Sequence, residues 1–138
     1  MSTTASFRAG IKAVLVAYSA THPTHIASVA SSRLASITEL PCAFVDLQPE
    51  TVTYDSGLRT RTFSPQAVVV FTPNDETQAL MDDCRDGLMD AFSLVPQFLA
   101  GTIWSSMTVT EAVESSGSTN FPALVFTFPN VTIQEGRI

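Results

Sequence analysis

Residues 75 to 95 carry the pattern that most constrains this fold, because they predict a long helix with one apolar face. Apolar side chains recur there at helical spacing: Leu80, Cys84, Leu88, Ala91, Phe92 and Val95. Asn74 is a suitable cap, acidic residues follow it near the positive end of the helix dipole, and Pro96 ends the helix.

The face of this helix opposite the apolar residues is acidic and carries Asp82, Asp83, Asp86 and Asp90. This spacing could serve a divalent cation, but it is also that of a solvated helix face. We favour the solvated face, because no EF-hand pattern accompanies the aspartates.

A second helix is predicted over residues 4–19, near the start of the chain. Its apolar residues share one face and are Phe7, Ile11, Val14, Leu15 and Tyr18. Thr3 or Thr4 can cap its start, and Pro23 ends it because the residue before a proline avoids the helical region. The Ser- and Ala-rich residues 24–39 are weakly patterned, and either a short helix over 26–36 or a loop fits them.

The middle of the chain predicts strands. Residues 43–47, 51–54 and 58–72 are extended in pattern, and Gly57 supplies turn chemistry between the second and third. The continuous apolar run at 67–71 is typical of a central strand covered on both faces. Pro65 lacks an N–H group, so it should mark a bulge or the point where the strand leaves the sheet.

The C-terminal part predicts an antiparallel hairpin of residues 102–114 and 121–133 around a loose turn at 115–120. On the first strand, alternation places four apolar residues on one face: Ile103, Met107, Val109 and Val113. The other face is polar and carries Thr102, Ser106, Thr108, Thr110 and Glu114. On the return strand Leu124, Phe126 and Phe128 share one face.

These elements predict one α+β domain over residues 1–138. It has an antiparallel sheet of about five strands packed against the N-terminal helix and one long central helix. Cys42 and Cys84 each lie in an apolar context, which favours two buried free thiols over a disulfide.

The strands are long for a domain of this size. About twelve residues at ~3.3 Å each span roughly 40 Å, whereas a compact domain of this length has a radius of gyration of only about 14 Å. The hairpin ends are therefore expected to overhang the core, and overhanging strands expose backbone groups that another subunit can cover. Charged residues make up 14% of the chain, below the typical ~25%. This low charge also favours a surface that a partner covers.

Several function classes are disfavoured. The net charge of -6 disfavours binding to a nucleic-acid backbone, and no apolar run reaches the ~18 residues of a membrane span. Arg8 and Lys12 precede a short apolar run, but a helical stripe explains that run better than a secretion signal, so we expect no export. His22 and His25 have no partners for a metal shell. No nucleophile elbow, phosphate loop or dinucleotide fingerprint is present, so we predict no enzyme activity, cofactor or metal.

Candidate interface residues lie in three places. Arg59 and Arg61 are two apart on a strand, so both side chains project from one face. There they could meet the aspartate face of a neighbouring subunit's helix, an acidic rim of another partner or the end of a nucleic acid, or remain solvated. Trp104 stands on an otherwise polar strand face, where it is either covered by the N-terminal region or an interface anchor. The acidic row, represented by Asp82, Asp86 and Asp90, is the third candidate.

The order of these elements resembles the tail terminator (tail completion) proteins of long-tailed bacteriophages. The resemblance covers nearly the whole chain and rests on element order and size, with no residue motif to transfer. It implies a homohexameric ring in the virion, made in the host cytoplasm. The ring would cap the tail tube, stop its polymerisation and join it to the head–tail connector, with DNA passing through the channel.

Two alternatives remain open. Neck and tail-tube proteins of related phages have similar α+β cores, so a neighbouring structural role in the virion is the first. A small enzyme or ligand-binding domain with an unrecognised site is the second, and the missing catalytic constellation argues against it.

Overall fold

The fold is α+β, as predicted, and a computed structural model describes it for residues 2–33, 39–74 and 76–136. The two helices are α1 (Thr3–Thr21) and α2 (Thr77–Ser93). The described strands in chain order are β1 (Ser28–Ala30), β2 (Cys42–Asp46), β3 (Thr51–Asp55), β4 (Leu58–Phe63), β5 (Gln66–Val70), β6 (Gln97–Leu99), β7 (Thr102–Ile103), β8 (Thr108–Ser116), β9 (Thr119–Thr127) and β10 (Val131–Gly136). They form a five-stranded sheet in the order β1-β2-β5-β9-β8, a three-stranded sheet β10-β4-β3, and a two-stranded sheet β6-β7.

The predicted single sheet of about five strands is not matched, because β3 and β4 lie with β10 in a separate three-stranded sheet. The five-stranded sheet also differs from the prediction in strand direction. Its strands are antiparallel except for β1, which pairs with β2 in parallel. The helix predicted to be the one long central element is α2 with 17 residues, while α1 has 19. The periodicity of apolar residues predicts neither the direction in which two strands pair nor which of two helices is longer. Both depend on the contacts made in the tertiary structure.

Both helices pack on one face of this sheet. Their apolar stripes join inward sheet residues such as Val45, Val69 and Phe126 in one buried cluster. The next residues along the same strands point the other way, and Phe44, Val68 and Val70 are part of a second buried cluster. Strand β5 therefore lies buried on both faces, as its continuous apolar run predicted.

The helix boundaries shift slightly from the predicted ones. The Ser2 hydroxyl caps α1 by accepting from the Ala5 amide at 3.0 Å, so neither predicted threonine caps it. Asn74 lies before α2 and not at its cap position, which Glu76 occupies, although the Asn74 side chain accepts from the Glu76 amide at 2.9 Å.

A helix over residues 26–36 is wrong for its first part, because Ser28–Ala30 is strand β1. Pairing with β2 overrides the weak local pattern there. Residues 34–36 of that predicted helix lie outside the described part of the chain.

The two predicted C-terminal strands are each interrupted. Residues 104–107 leave the strand path, so the alternation does not run through them: Thr102 is buried while Ile103 is 63% exposed, the reverse of the prediction. The return segment splits into β9 and β10, because a turn at Asn130 moves the chain into the three-stranded sheet. Leu124, Phe126 and Phe128, predicted to share one face, are all buried in the same cluster.

The tip of the β8–β9 hairpin extends beyond the helices. Val113 lies on the same side of β8 as the core residue Val109, yet it is 65% exposed. Cys42 and Cys84 are both buried free thiols, as predicted.

Candidate assembly interface

The β3–β4 hairpin is the element that carries the candidate interface. Its strands are joined by a two-residue turn in which Ser56 and Gly57 have φ of 45° and 88°. Two successive positive φ values are typical of a type I′ turn, whose twist matches that of the paired strands. The turn predicted at 55–57 is therefore confirmed, and it sends a regular hairpin away from the body of the protein.

Strand β3 is exposed at every residue, from Thr51 to Asp55. Among the described residues it is the outer strand of its sheet, with β4 as its sheet partner. Tyr54 on this strand is 54% exposed and Leu58 across the turn is 48% exposed. An outer strand with exposed apolar side chains is the kind of surface that another chain covers.

One face of the hairpin is lined by threonines. Register places five threonines and a glutamine from the three strands on the same side of the sheet: Thr51, Thr53, Thr60, Thr62, Thr132 and Gln134. The five threonines are short, β-branched and uncharged, which makes this threonine face flat. Asp55 shares this side of β3 at the tip, so packing against the part of the face away from the tip avoids the cost of desolvating a charge.

The opposite face of the hairpin joins it to the core. Phe63 lies at the base of β4 and packs on Phe7 of α1, with ring centroids 5.0 Å apart. Further along β4, the Arg61 guanidinium lies 5.0 Å from the Phe63 ring centre. The hairpin is therefore anchored to α1 at its base, and β10 pairs with β4 along its whole length, from Phe63 to Leu58 next to the turn.

Arg61 is the central residue of an ion-pair network on this face. Its Nε and Nη2 atoms donate to the two carboxylate oxygens of Glu50 at 2.8 and 2.9 Å, and Nη1 donates to Glu135 at 3.2 Å. Nη2 also donates to the Thr4 hydroxyl of α1 at 2.6 Å. The hydrogen bond with Glu50 raises the pKa of Arg61, and the same bond holds the pKa of Glu50 below its ordinary value.

The predicted basic pair does share a face, since Arg59 and Arg61 oppose Glu135 and Ile133 on β10. Both arginines are already paired within the chain, because Arg59 also makes an ion pair with Glu135. The expected contact with the aspartates of a neighbouring helix would have to compete with these bonds. An interface role for the two arginines stays a prediction, while their role in bracing the hairpin is visible in the structure.

The acidic row lies on α2 as predicted. Asp82, Asp86 and Asp90 are all exposed, on the side of the helix away from buried Cys84 and Leu88. In the described part of the chain, Arg59 and Arg61 make their ion pairs with Glu50 and Glu135 and not with this row, so the two predicted patches are not brought together.

Trp104 lies in an aromatic cluster and not on a strand. Its ring stacks on Phe98 at 6.1 Å and meets the edge of Phe128 at 5.0 Å, while its indole N–H donates to the Val95 carbonyl at 2.7 Å. The ring is half-buried. It therefore has a structural role at the end of α2, and its use as an interface anchor stays a prediction.

The histidines meet around Tyr18. His22 stacks on the Tyr18 ring at 4.1 Å, and His25 Nδ1 is hydrogen-bonded to the Tyr18 hydroxyl at 2.7 Å. Burial lowers the pKa of His25 and raises that of Tyr18 to about 12. Among the described residues, no group of three or more His, Cys, Asp or Glu side chains could hold a metal ion.

Sequence reasoning missed several residues of this surface. Glu50 and Glu135 are far apart in sequence from each other, and only the pairing of β10 with β4 brings both to Arg61. Alternation of Thr and larger residues over 51–54 was the signal that one face of the hairpin is flat.

No family model matches this chain, and no curated protein matches it. No helix among the described residues is long and apolar enough to cross a membrane.

Proposed function

We propose that this chain is a structural, non-catalytic subunit that assembles with copies of itself into a closed ring, and that the ring is a tail terminator of a long-tailed bacteriophage. In this role it caps the tail tube and joins it to the head–tail connector within the virion. The observation that carries the proposal is the projecting β3–β4 hairpin, whose outer strand is exposed at every residue.

The geometry of the hairpin supports assembly in particular. A lone two-stranded hairpin is at best marginally stable in water. Here β10 adds a third strand, and Arg61 and Phe63 brace the base of the hairpin against α1. Such bracing holds the threonine face and the outer strand in a fixed orientation. A rigid exposed edge is a liability unless something covers it, and a neighbouring copy in a ring can do so.

A ring can also accommodate the acidic charge of the chain. A net charge of -6 per subunit gives little affinity for DNA phosphates, so DNA can move through a channel without being held. The order of helices and strands supports the tail terminator role among ring-forming proteins, as the resemblance implies.

The test is the mass and shape of the purified protein, alone and with isolated tail tubes. Six copies of the 14.8 kDa chain form a ring of about 89 kDa, visible by light scattering and as a ring in negative-stain images. Thr53→Lys places a charge on the outer strand of the threonine face and should abolish assembly without changing the circular dichroism spectrum. Thr24→Lys, at an exposed threonine of the α1–β1 loop, is the matched control and should assemble normally.

A wild-type chain that stays monomeric at every concentration and does not bind tail-tube ends would contradict the proposal. Assembly that proceeds equally with both lysine variants would contradict the role of the hairpin.

A further inference from the structure

An apolar groove runs between α1 and α2, on the side of the helices away from the sheet. It encloses about 610 Å³ and is open to solvent. Its walls include Ala13 and Ala17 from α1, Ala91 from α2, and Leu94 and Val95 directly after α2. Leu94 is 83% exposed, the highest value among the large apolar side chains that the structure describes as exposed. An exposed leucine beside an apolar groove is a candidate contact for another molecule.

The two helices approach closely at one end of the groove. A Cβ atom on Gly87 would lie 2.3 Å from the Tyr18 hydroxyl, so glycine lets this ring lie across α2. The stacked Tyr18 and His22 rings close the groove there. Along α1, the lining runs from Gly10 to His22, which at 1.5 Å per residue is about 18 Å. This length matches about three turns of a third helix.

The border of the groove is acidic. Asp90 is its acidic lining residue, and no lysine or arginine lines it in the described part of the chain. Asp83 lies seven residues before Asp90, two turns away on the same side of α2, and its charge acts on Tyr18. Asp86 lies one turn before Asp90. An occupant would therefore meet apolar side chains in the groove and negative charge along one side of it.

We propose that this groove binds an amphipathic helical segment of a partner protein, with leucine-like side chains in the groove and lysine or arginine along the acidic border. Helix-in-groove recognition needs apolar anchors at i, i+3, i+4 and i+7, and the spacing of Ala13, Ala17, Ala91 and Leu94 can receive them. The charge complementarity selects a basic partner over an acidic one. This inference does not rest on the ring, since the groove and the β3–β4 hairpin are separate surfaces.

The chain contains its own reporter for this site. Trp104 is its single tryptophan, and its indole N–H is bonded to the carbonyl of Val95, which lines the groove. A segment that enters the groove should therefore shift the emission of Trp104. The probe is a tryptophan-free model peptide of about 14 residues, long enough for the groove, with leucines at helical spacing, lysines beside them and a fluorescein label. Binding is followed by peptide anisotropy and, with unlabelled peptide, by Trp104 emission.

Two pairs of variants test the two halves of the proposal. Leu94→Lys should raise the Kd of the peptide at least about tenfold, while Leu58→Lys, the same change at an exposed leucine of the hairpin, should leave it unchanged. Asp83→Asn with Asp90→Asn should raise the Kd severalfold and weaken its salt dependence, while Asp55→Asn at the hairpin tip should not. A control peptide with serine at every leucine position, at the same charge, should not bind.

Four results would overturn the proposal. The serine peptide could bind as well as the leucine peptide, which would mean attraction by charge alone. Leu94→Lys and Leu58→Lys could weaken binding equally. Anisotropy could rise while Trp104 emission stays constant, which would place the peptide elsewhere. Emission could also shift with the concentration of the protein itself, which would make a second copy the occupant.

Discussion

Gly10 is the position where the structure reverses the stability change that helix propensity predicts. It lies in the interior of α1, where Gly→Ala ordinarily stabilises a helix by ~1 kcal/mol. In this fold, α1 passes so close to β6 that a Cβ atom on Gly10 would lie 1.7 Å from the Phe98 carbonyl oxygen. That is half the ordinary van der Waals distance of 3.4 Å, and the atom in the way belongs to the backbone.

The cost of Gly10→Ala follows from what would have to move. Strand β6 cannot retreat alone, because Phe98 is buried and its ring packs against Phe7, Phe92 and Phe128. Overpacking of this kind costs typically ~1–3 kcal/mol, and a backbone clash belongs at the upper end. After the gain in helix propensity, we expect the variant to be less stable by about 2 kcal/mol.

Urea unfolding followed by circular dichroism measures this change. With a slope of ~2 kcal/mol per molar for a chain of this size, the midpoint should fall by about 1 M. Ala9→Gly is the matched control, since it makes the opposite change at the exposed neighbouring position and should cost only ~1 kcal/mol. Both are measured at two protein concentrations, because assembly would stabilise the folded state. A midpoint for Gly10→Ala at or above that of the wild type would refute the close approach of α1 and β6.

Three further predictions test the core, the ion-pair network and the thiols. Leu88→Ala in the buried stripe of α2 should cost about 2–5 kcal/mol, while Asp86→Ala on its exposed face should cost under about 0.5 kcal/mol; equal losses in melting temperature would mean that the helix faces are misassigned. Arg61 holds the pKa of Glu50 below its ordinary value of 4.5, so their bond stabilises the fold above that pH and is lost as the pH falls through the depressed folded-state pKa. The stability lost in Arg61→Gln should therefore shrink between about pH 7 and about pH 3 in urea titrations, and a pH-independent loss would argue against the pairing. Burial raises the pKa of Cys84 to about 12, so both cysteines should resist a thiol reagent at about pH 8 in the folded protein and react in urea; rapid labelling of the native protein would contradict their burial.

The Arg61 network also changes what is expected from charge reversal. From sequence, replacing Arg59 and Arg61 by glutamate would alter only surface charge. In the structure, Arg61 binds Glu50, Glu135 and Thr4, so the double reversal should loosen the hairpin as well as any interface. The Thr53→Lys variant is the cleaner test of assembly, because it leaves this network intact.

Local patterns determined much of the fold. The two helical stripes, the turn before Leu58 and the buried run at 67–71 depend on side-chain period and turn chemistry, which neighbouring residues specify. The acidic face of α2 follows from the same period, since residues opposite a buried stripe must be exposed. The α+β class and the buried cysteines could therefore be predicted from the sequence.

Only the tertiary structure decided which strands meet and what covers each face. Pairing of β10 with β4 brings Glu135 to Arg61 across more than seventy residues, and no local pattern records a contact at that separation. The exposure of Ile103 and the burial of Thr102 likewise depend on β7 leaving the main sheet to pair with β6. The close approach of Gly10 to Phe98 is of the same kind. A glycine in a helix is unfavourable by propensity alone, and the strand packed against it supplies the physical reason for its presence.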